Sequence, residues 1–345
     1  MELIRNLPPL SRRNALVIGA GLLLGLSAST FTALPAKAET FKVKIAHVDT
    51  VEHPKHLAFL KFKEIAEERS GGRLQVTVYH GGQLGDERET IEGAQLGTIH
   101  IACVSNGVMV PFSKNFMLLD VPFLFKDYEQ ARSVIDGAGE ALLFEGLESI
   151  GLKGLAVWEQ GYRNISTSKK AIRKLEDMDG LKIRTMEAPL HVSAFRGMGS
   201  NPTPMAFSQL YTSLQQGVVD GQENPLYVLT QEKFYEVQSY VSLTRHIYDP
   251  MPVIASKKWL DSLPADLQKI VIDGIREVTA YERESAERLV NEAAKELPGL
   301  GVEIIKLSPE ERARFRDAAQ PAVLQEIRAA LGEEAVEDWM AVVEK

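Results

Sequence analysis

From Phe41 onward the apolar and polar positions follow two alternating rhythms. Phe41, Val43 and Ile45 alternate with Lys42 and Lys44, a period of two that predicts a half-buried strand. Residues 57–66 then carry helical spacing, which Gly71-Gly72 ends. Leu74, Val76 and Val78 predict a second strand, Asp86 opens a helix running to Leu96, and residues 101–104 predict a third strand. This βαβαβ order specifies an α/β unit with parallel strands. A second such unit is predicted from Leu152 on, with strands at 152–158, 181–185 and 218–220, a helix near 190–198 and another from Phe207.

Residues 265–297 contain no proline and space Leu267, Ile270, Val271, Ile275, Val278, Leu289 and Val290 at helical intervals. They predict one long helix, which at about 1.5 Å per residue is longer than one small lobe and spans both. Two shorter helices, broken near Gly274 or at Tyr281-Glu282-Arg283, are the alternative. The pattern as a whole predicts an α/β fold of two lobes around a hinged cleft, crossed by shared elements.

Composition fits this picture. The chain has 345 residues, 45% hydrophobic and 25% charged, which excludes a disordered chain and favours two lobes over one core. The net charge is −8, and no basic cluster occurs outside the N-terminus, so a nucleic-acid surface is excluded as an expectation. Arg5, Arg12 and Arg13 precede an apolar run over 15–26, followed by Ala36-Lys37-Ala38. That order predicts a signal peptide, residues 1–38, cleaved after about Ala38. The run is shorter than a spanning helix prefers. Ser11-Arg12-Arg13 leaves the Sec and twin-arginine export routes both open. The mature protein is expected to be periplasmic, more acidic than the precursor, and without stable membrane insertion. Cys103, alone in the chain within an apolar stretch, reads as a buried inert thiol.

Enzyme chemistry leaves few candidates here. His53 and His56 stand three apart without a third ligand at a usual spacing, and no Gly-x-Ser-x-Gly is present. Asp86, Glu87 and Glu89 suit a helix N-terminus. Gly19-Ala20-Gly21 has no preceding strand to make it a dinucleotide loop. No cofactor or metal is expected. Two arginines stand out instead: Arg163, in Gly161-Tyr162-Arg163-Asn164, and Arg184, in Gly180-Leu181-Lys182-Ile183-Arg184. Both fall at predicted strand ends, where a guanidinium fork meets a carboxylate with two parallel hydrogen bonds. An ordinary surface arginine is the alternative for either residue taken alone.

The segments Asn201-Pro202-Thr203-Pro204-Met205-Ala206-Phe207-Ser208, Asp220-Gly221-Gln222-Glu223-Asn224-Pro225, Lys233-Phe234-Tyr235-Glu236-Val237-Gln238 and Gln83-Leu84-Gly85-Asp86-Glu87-Arg88 closely resemble the solute receptors of tripartite ATP-independent periplasmic (TRAP) transporters, of the dicarboxylate-receptor type. The resemblance covers nearly the whole mature chain. It implies a two-lobe periplasmic-binding-protein fold that captures a small organic acid and delivers it to membrane permease subunits, small and large or fused, driven by an ion gradient. It also implies Arg184 as the main carboxylate clamp, Arg163 as a second positive contact, Asn224 as an amide donor and Phe207 as an apolar wall. His47, Ser105, Asn106, Trp158, Glu159 and His191 are further candidates to face the solute, with core packing for Trp158 and surface placement for Glu159 and His191 as the alternatives. Lobe I is expected over 39–160 plus about 249–288, and lobe II over 161–248 plus about 289–345, in a monomer. An ABC-type binding protein and a two-lobe periplasmic enzyme are the rival classes. C4-dicarboxylate, uronate or other sugar acid, keto acid and aromatic acid all stay open as ligands.

Overall fold

The computed structural model describes residues 39–344, so the predicted export segment lies outside them. One nine-stranded sheet organises the chain. Its strands are β1 Phe41–Ala46, β2 Leu74–Tyr79, β3 Ile101–Cys103, β4 Leu152–Thr167, β5 Lys182–Thr185, β6 Asn201–Pro204, β7 Gly221–Asn224, β8 Tyr240–Ser256 and β9 Glu303–Ile305. Their spatial order is β2-β1-β3-β8-β4-β7-β5-β6, with β9 beside β8. β1 pairs in parallel with both β2 and β3, and the helices Pro54–Arg69 and Glu87–Leu96 make the crossovers. The first helix starts on Pro54 with His53 accepting the Lys55 N–H, and Phe59 and Phe62 on its inner face are fully buried. Each such burial contributes about 1.5–3 kcal/mol.

β5, β6 and β7 form a second parallel group. β4 and β8, antiparallel and 16 and 17 residues long, tie the two groups together. Residues 152–159 of β4 pair with 250–256 of β8 beside β3, whereas 161–167 pair with 240–249 beside β7 and β9. Where the halves meet, Glu159 pairs with Pro250 and Gly161 with Asp249, so Gln160 is the extra residue of a bulge. Gly161 has φ +100°, and a Cβ there would stand 2.9 Å from the Tyr128 hydroxyl. The bend between the halves therefore demands glycine.

Three expectations change. The single helix over 265–297 is two helices, Ala265–Glu277 and Thr279–Glu296, parted at Val278 with φ −84° and ψ −2°. The Thr279 hydroxyl lies 3.2 Å from the Ile275 carbonyl and accepts from the Trp158 indole, so a β-branched pair with a competing side-chain bond sits at the break. The strand expected at 218–220 is β7, because the residues opposite β4's 164–167 are 221–224. The helix expected from Phe207 opens with a 3-10 turn, Phe207–Gln209, before Leu210–Gln215.

Candidate functional site

Arg184 lies near the carboxyl end of β5, the position from which open α/β sheets present ligand-binding groups. Its neighbour β6 is the edge strand. Asn201 and Met205 donate backbone hydrogen bonds to the β5 side, and Pro202 and Pro204 alternate with them, where an edge strand needs no inward N–H. This proline-spaced strand delivers the Met205 carbonyl to Arg184, which donates to it from Nε at 3.1 Å and Nη2 at 2.8 Å. Phe207 follows, its ring centre 5.8 Å from the guanidinium carbon. Arg184 is 2% exposed, and its Nη1 has no protein partner among the described residues. Burial pushes its pKa down to about 10, against which Glu223 acts, so it stays charged at neutral pH.

Arg163 differs. Its Nε and Nη2 meet the Glu223 carboxylate at 2.5 and 2.9 Å, Nη2 also reaches the Glu223 carbonyl, and Nη1 meets Asp249 at 2.6 Å and Gln160 at 3.4 Å. All its donors are engaged within the protein. Burial would raise Glu223, but Arg163, His191 and His246 hold it well below the ordinary carboxylate range. Burial raises Asp249, with Arg163 opposing. The expected second contact to the solute is thus the centre of a buried ion cluster at the bulge between the halves.

The wall facing Arg184 comes from the N-terminus of the helix Glu87–Leu96. Asp86 holds its N-cap position without capping it, because its carboxylate instead accepts from Ser208 Oγ at 2.6 Å and Ser208 N at 3.3 Å. This bond crosses from the first half to the second. Glu87 Oε1 accepts the Ser105 N–H at 2.7 Å, and Asp86, Glu87, Arg184, Met205 and Phe207 line one cavity of about 10 Å³, room for roughly one water. A much larger cavity, about 820 Å³, lies elsewhere around Phe144, Leu331 and Trp339. Its lining contains no basic side chain to hold an acid.

The other sequence candidates divide. Ser105 Oγ contacts Gln160 at 3.4 Å, and Asn106 donates to Asp120 while its own Oδ1 has no partner among the described residues. Gly107 permits the close approach here, since a Cβ would stand 2.8 Å from Ala188 across the cleft. His191, expected at the surface or at the solute, is fully buried between Asp120 at 3.6 Å and Glu223 at 3.8 Å. Burial lowers its pKa, but these two carboxylates outweigh that and raise it to about 9. His47 pairs with His56 at 2.9 Å, with its pKa lowered by burial. Asn224 donates to Gln222, on the face of β7 opposite Glu223. Trp158 belongs to the core of the first half, its ring 4.7 Å from Phe59. Glu159 accepts from Arg132 Nε and Nη2 and from the Tyr248 hydroxyl at 2.6 Å. Both are fully buried, Trp158 held by packing and Glu159 by an ion pair. Glu223, Asp249, Gln160 and Lys55 are not singled out by the sequence pattern, although Glu223 lies within one of the resembling segments. Asp249 beside Pro250 gave the one local signal, a charge inside an otherwise apolar stretch.

The model of bacterial extracellular solute-binding protein, family 7, matches residues 45–329 of the chain. The chain belongs to this family. It is 33% identical over 319 residues to the C4-dicarboxylate-binding periplasmic protein of Rhodobacter capsulatus, covering 92% of this chain and 95% of that one. The sugar acid binding protein of Advenella mimigardefordensis, solved with galactonate, matches with a TM-score of 0.85 at 33% identity, over 89% of this chain and 98% of that chain. A TRAP periplasmic solute binding protein from a Polaromonas species, bound to D-erythronate, matches with a TM-score of 0.83 at 35% identity, over 88% and 99%. The chain is a TRAP-type periplasmic solute-binding protein with the two-lobe α/β fold of its family. These likenesses are to transport receptors rather than enzymes, and none favours an ABC-type receptor. No helix among the described residues is long and apolar enough to cross a membrane.

Proposed function

We propose that Arg184 anchors the carboxylate of a small organic acid between lobe I, residues 39–160 plus about 249–288, and lobe II, residues 161–248 plus about 289–345. The observation that carries this reading is a buried guanidinium whose Nη1 lacks a protein partner while its other edge is fixed on the Met205 carbonyl. A side chain so placed offers a preset, partly dry fork, and an acid gains most from it when the opposite wall also closes. Phe207 shields one face of the fork, and Ser105 and Asn106 meet the far end of the acid. Arg163 acts through its charge and through the position it gives Glu223, rather than by direct donation. The bulge at Gln160 is the bending point of the two connecting strands.

On this reading the protein releases its ligand unchanged to the small and large permease subunits, or to one fused subunit. It works in the periplasm as a monomer after removal of residues 1–38. A thermal-shift screen of organic acids tests the reading. A ligand at 100 times its Kd adds about 2.7 kcal/mol, which raises the midpoint by roughly 5 °C or more. Chromatographic recovery of the unaltered acid after incubation separates binding from turnover. A flat response across C4-dicarboxylates, sugar acids, keto acids and aromatic acids would refute it.

A further inference from the structure

Away from Arg184 the two halves of the chain meet a second time, where the helix Leu226–Gln231, which follows β7, rests on residues 49–53, which follow β1. Tyr227 Oη lies 3.3 Å from His53 Nε2, and Gln231 Nε2 donates to the Glu52 carbonyl at 3.1 Å. Glu232, the residue after this helix, accepts a backbone hydrogen bond from Thr50. The seam is short of hydrogens. Glu232 Oε1, Gln231 Oε1 and Thr50 Oγ1 are all buried atoms without a hydrogen-bond partner among the described residues, and only the Thr50 hydroxyl has a hydrogen to give.

It is also short of positive charge. Asp49 and Glu52, both acids, act on Glu232 from the loop. Lys55, from the helix Pro54–Arg69, is bound to Asp49 at 2.8 Å. His53 stays neutral, because burial, with Asp49 opposing, pushes its pKa down to about 3, and burial keeps the Tyr227 phenol protonated. The helix Thr279–Glu296 also packs on Leu226–Gln231 and adds a further acid, Glu282, which burial pushes up to about 8. Lys233, next in the chain to Glu232, is exposed. Glu232 has no cation within salt-bridge distance among the described residues. Burial, then Asp49 and Glu52, push it up to about 7, with Thr50 and Lys55 opposing.

Resting on the receptor reading above, we infer that this seam is a proton site: Glu232 is protonated when the two halves are together and ionised when they part, so that solute capture takes up a proton. The protonated carboxyl supplies the hydrogen that the seam lacks and stands beside Asp49 and Glu52 without repulsion. Once the seam opens to water, Glu232 returns toward an ordinary carboxylate. Proton and solute then strengthen each other's binding by the same factor. The joined form is favoured at low pH, and this advantage is lost as pH rises through about 7.

Calorimetry with galactonate, D-erythronate and succinate, in buffers of low and high ionisation enthalpy, tests this on the wild type and on Glu232→Gln. Wild-type affinity is expected to be about tenfold tighter at pH 6 than at pH 8, with more than roughly half a proton taken up per solute bound near pH 6.5. Glu232→Gln carries amide hydrogens where the protonated acid carries its own. It is expected to bind at least about tenfold more tightly than the wild type at pH 8 and to lose most of the pH step. If that variant does not fold, Glu232→Ala replaces it, with the same expected loss of the pH step. Wild-type affinity that is level between the two pH values without proton uptake, or an unchanged pH step in a variant that melts normally, overturns the inference and leaves the receptor reading standing. If none of the three solutes binds the wild type, the inference falls, and the thermal-shift screen decides whether the receptor reading falls with it.

Discussion

Replacing Arg184 with Ala removes a buried cation that has no carboxylate within salt-bridge distance among the described residues. The side chain has five donors, of which the Nε–H and one Nη2–H are fixed on Met205 O. The terminal edge, Nη1 and the outer hydrogen of Nη2, is left as a two-pronged fork for an acid. Deleting the fork strands a carboxylate in a closed, water-poor site, for which truncations of buried charge partners cost roughly 3–5 kcal/mol. Affinity should fall by about 150- to 5000-fold. Arg184→Lys is also expected to bind poorly, by roughly 10- to 100-fold, because one ammonium cannot hold both Met205 O and a bidentate acid. Fold stability should change little in either variant, since no protein carboxylate loses its partner. Isothermal titration with the acid found by thermal shift reads the effect directly, and a melting curve serves as the control. Binding by Arg184→Ala within threefold of wild type would refute the reasoning, whatever the ligand.

Other substitutions should act on the frame instead. Arg163→Ala leaves Glu223 and Asp249 buried without their cation, a loss of roughly 3–5 kcal/mol; its thermal midpoint should fall by on the order of 10 °C. His191 carries a folded pKa of about 9, above its unfolded value, so its stabilising contribution is full below about pH 6.5 and is lost as pH rises through 9. Denaturant melts should lose up to about 1.4 kcal/mol per pH unit over that window, and His191→Gln should flatten this slope. Gly161→Ala forces a Cβ onto Tyr128 at a positive φ, a strain of about 1–3 kcal/mol measurable by urea unfolding.

The first two strands and two helices were legible because one face of each is more buried than the other, so period and burial agree in Phe41–Ala46 and Leu74–Tyr79, whereas the third strand, buried on both faces, showed only as a short apolar run. The connecting strands were not. β4 is buried along almost its whole length, so only its start read as a strand, and Gly161 hid its continuation. β8 went unread for the same reason, compounded by Pro250 and Pro252 in its middle. At the site, the residue type and the motif singled out Arg184. What made Arg163 different could not be read locally, because its partners Glu223 and Asp249 stand 60 and 86 positions away. The carboxylates of Asp86 and Glu87 looked like helix-end acids, and only the folded chain turns one toward Ser208 and the other toward Ser105.

The unpartnered Nη1 of Arg184 also bears on how a transporter avoids idle traffic. A shut but empty receptor keeps an unquenched donor out of water, a penalty of about 1–3 kcal/mol. Such a form is then outnumbered by unshut molecules by roughly 5- to 150-fold more than it would otherwise be. A membrane partner that recognises the shut outline can therefore tell loaded carriers from empty ones by contour alone, without touching the cargo.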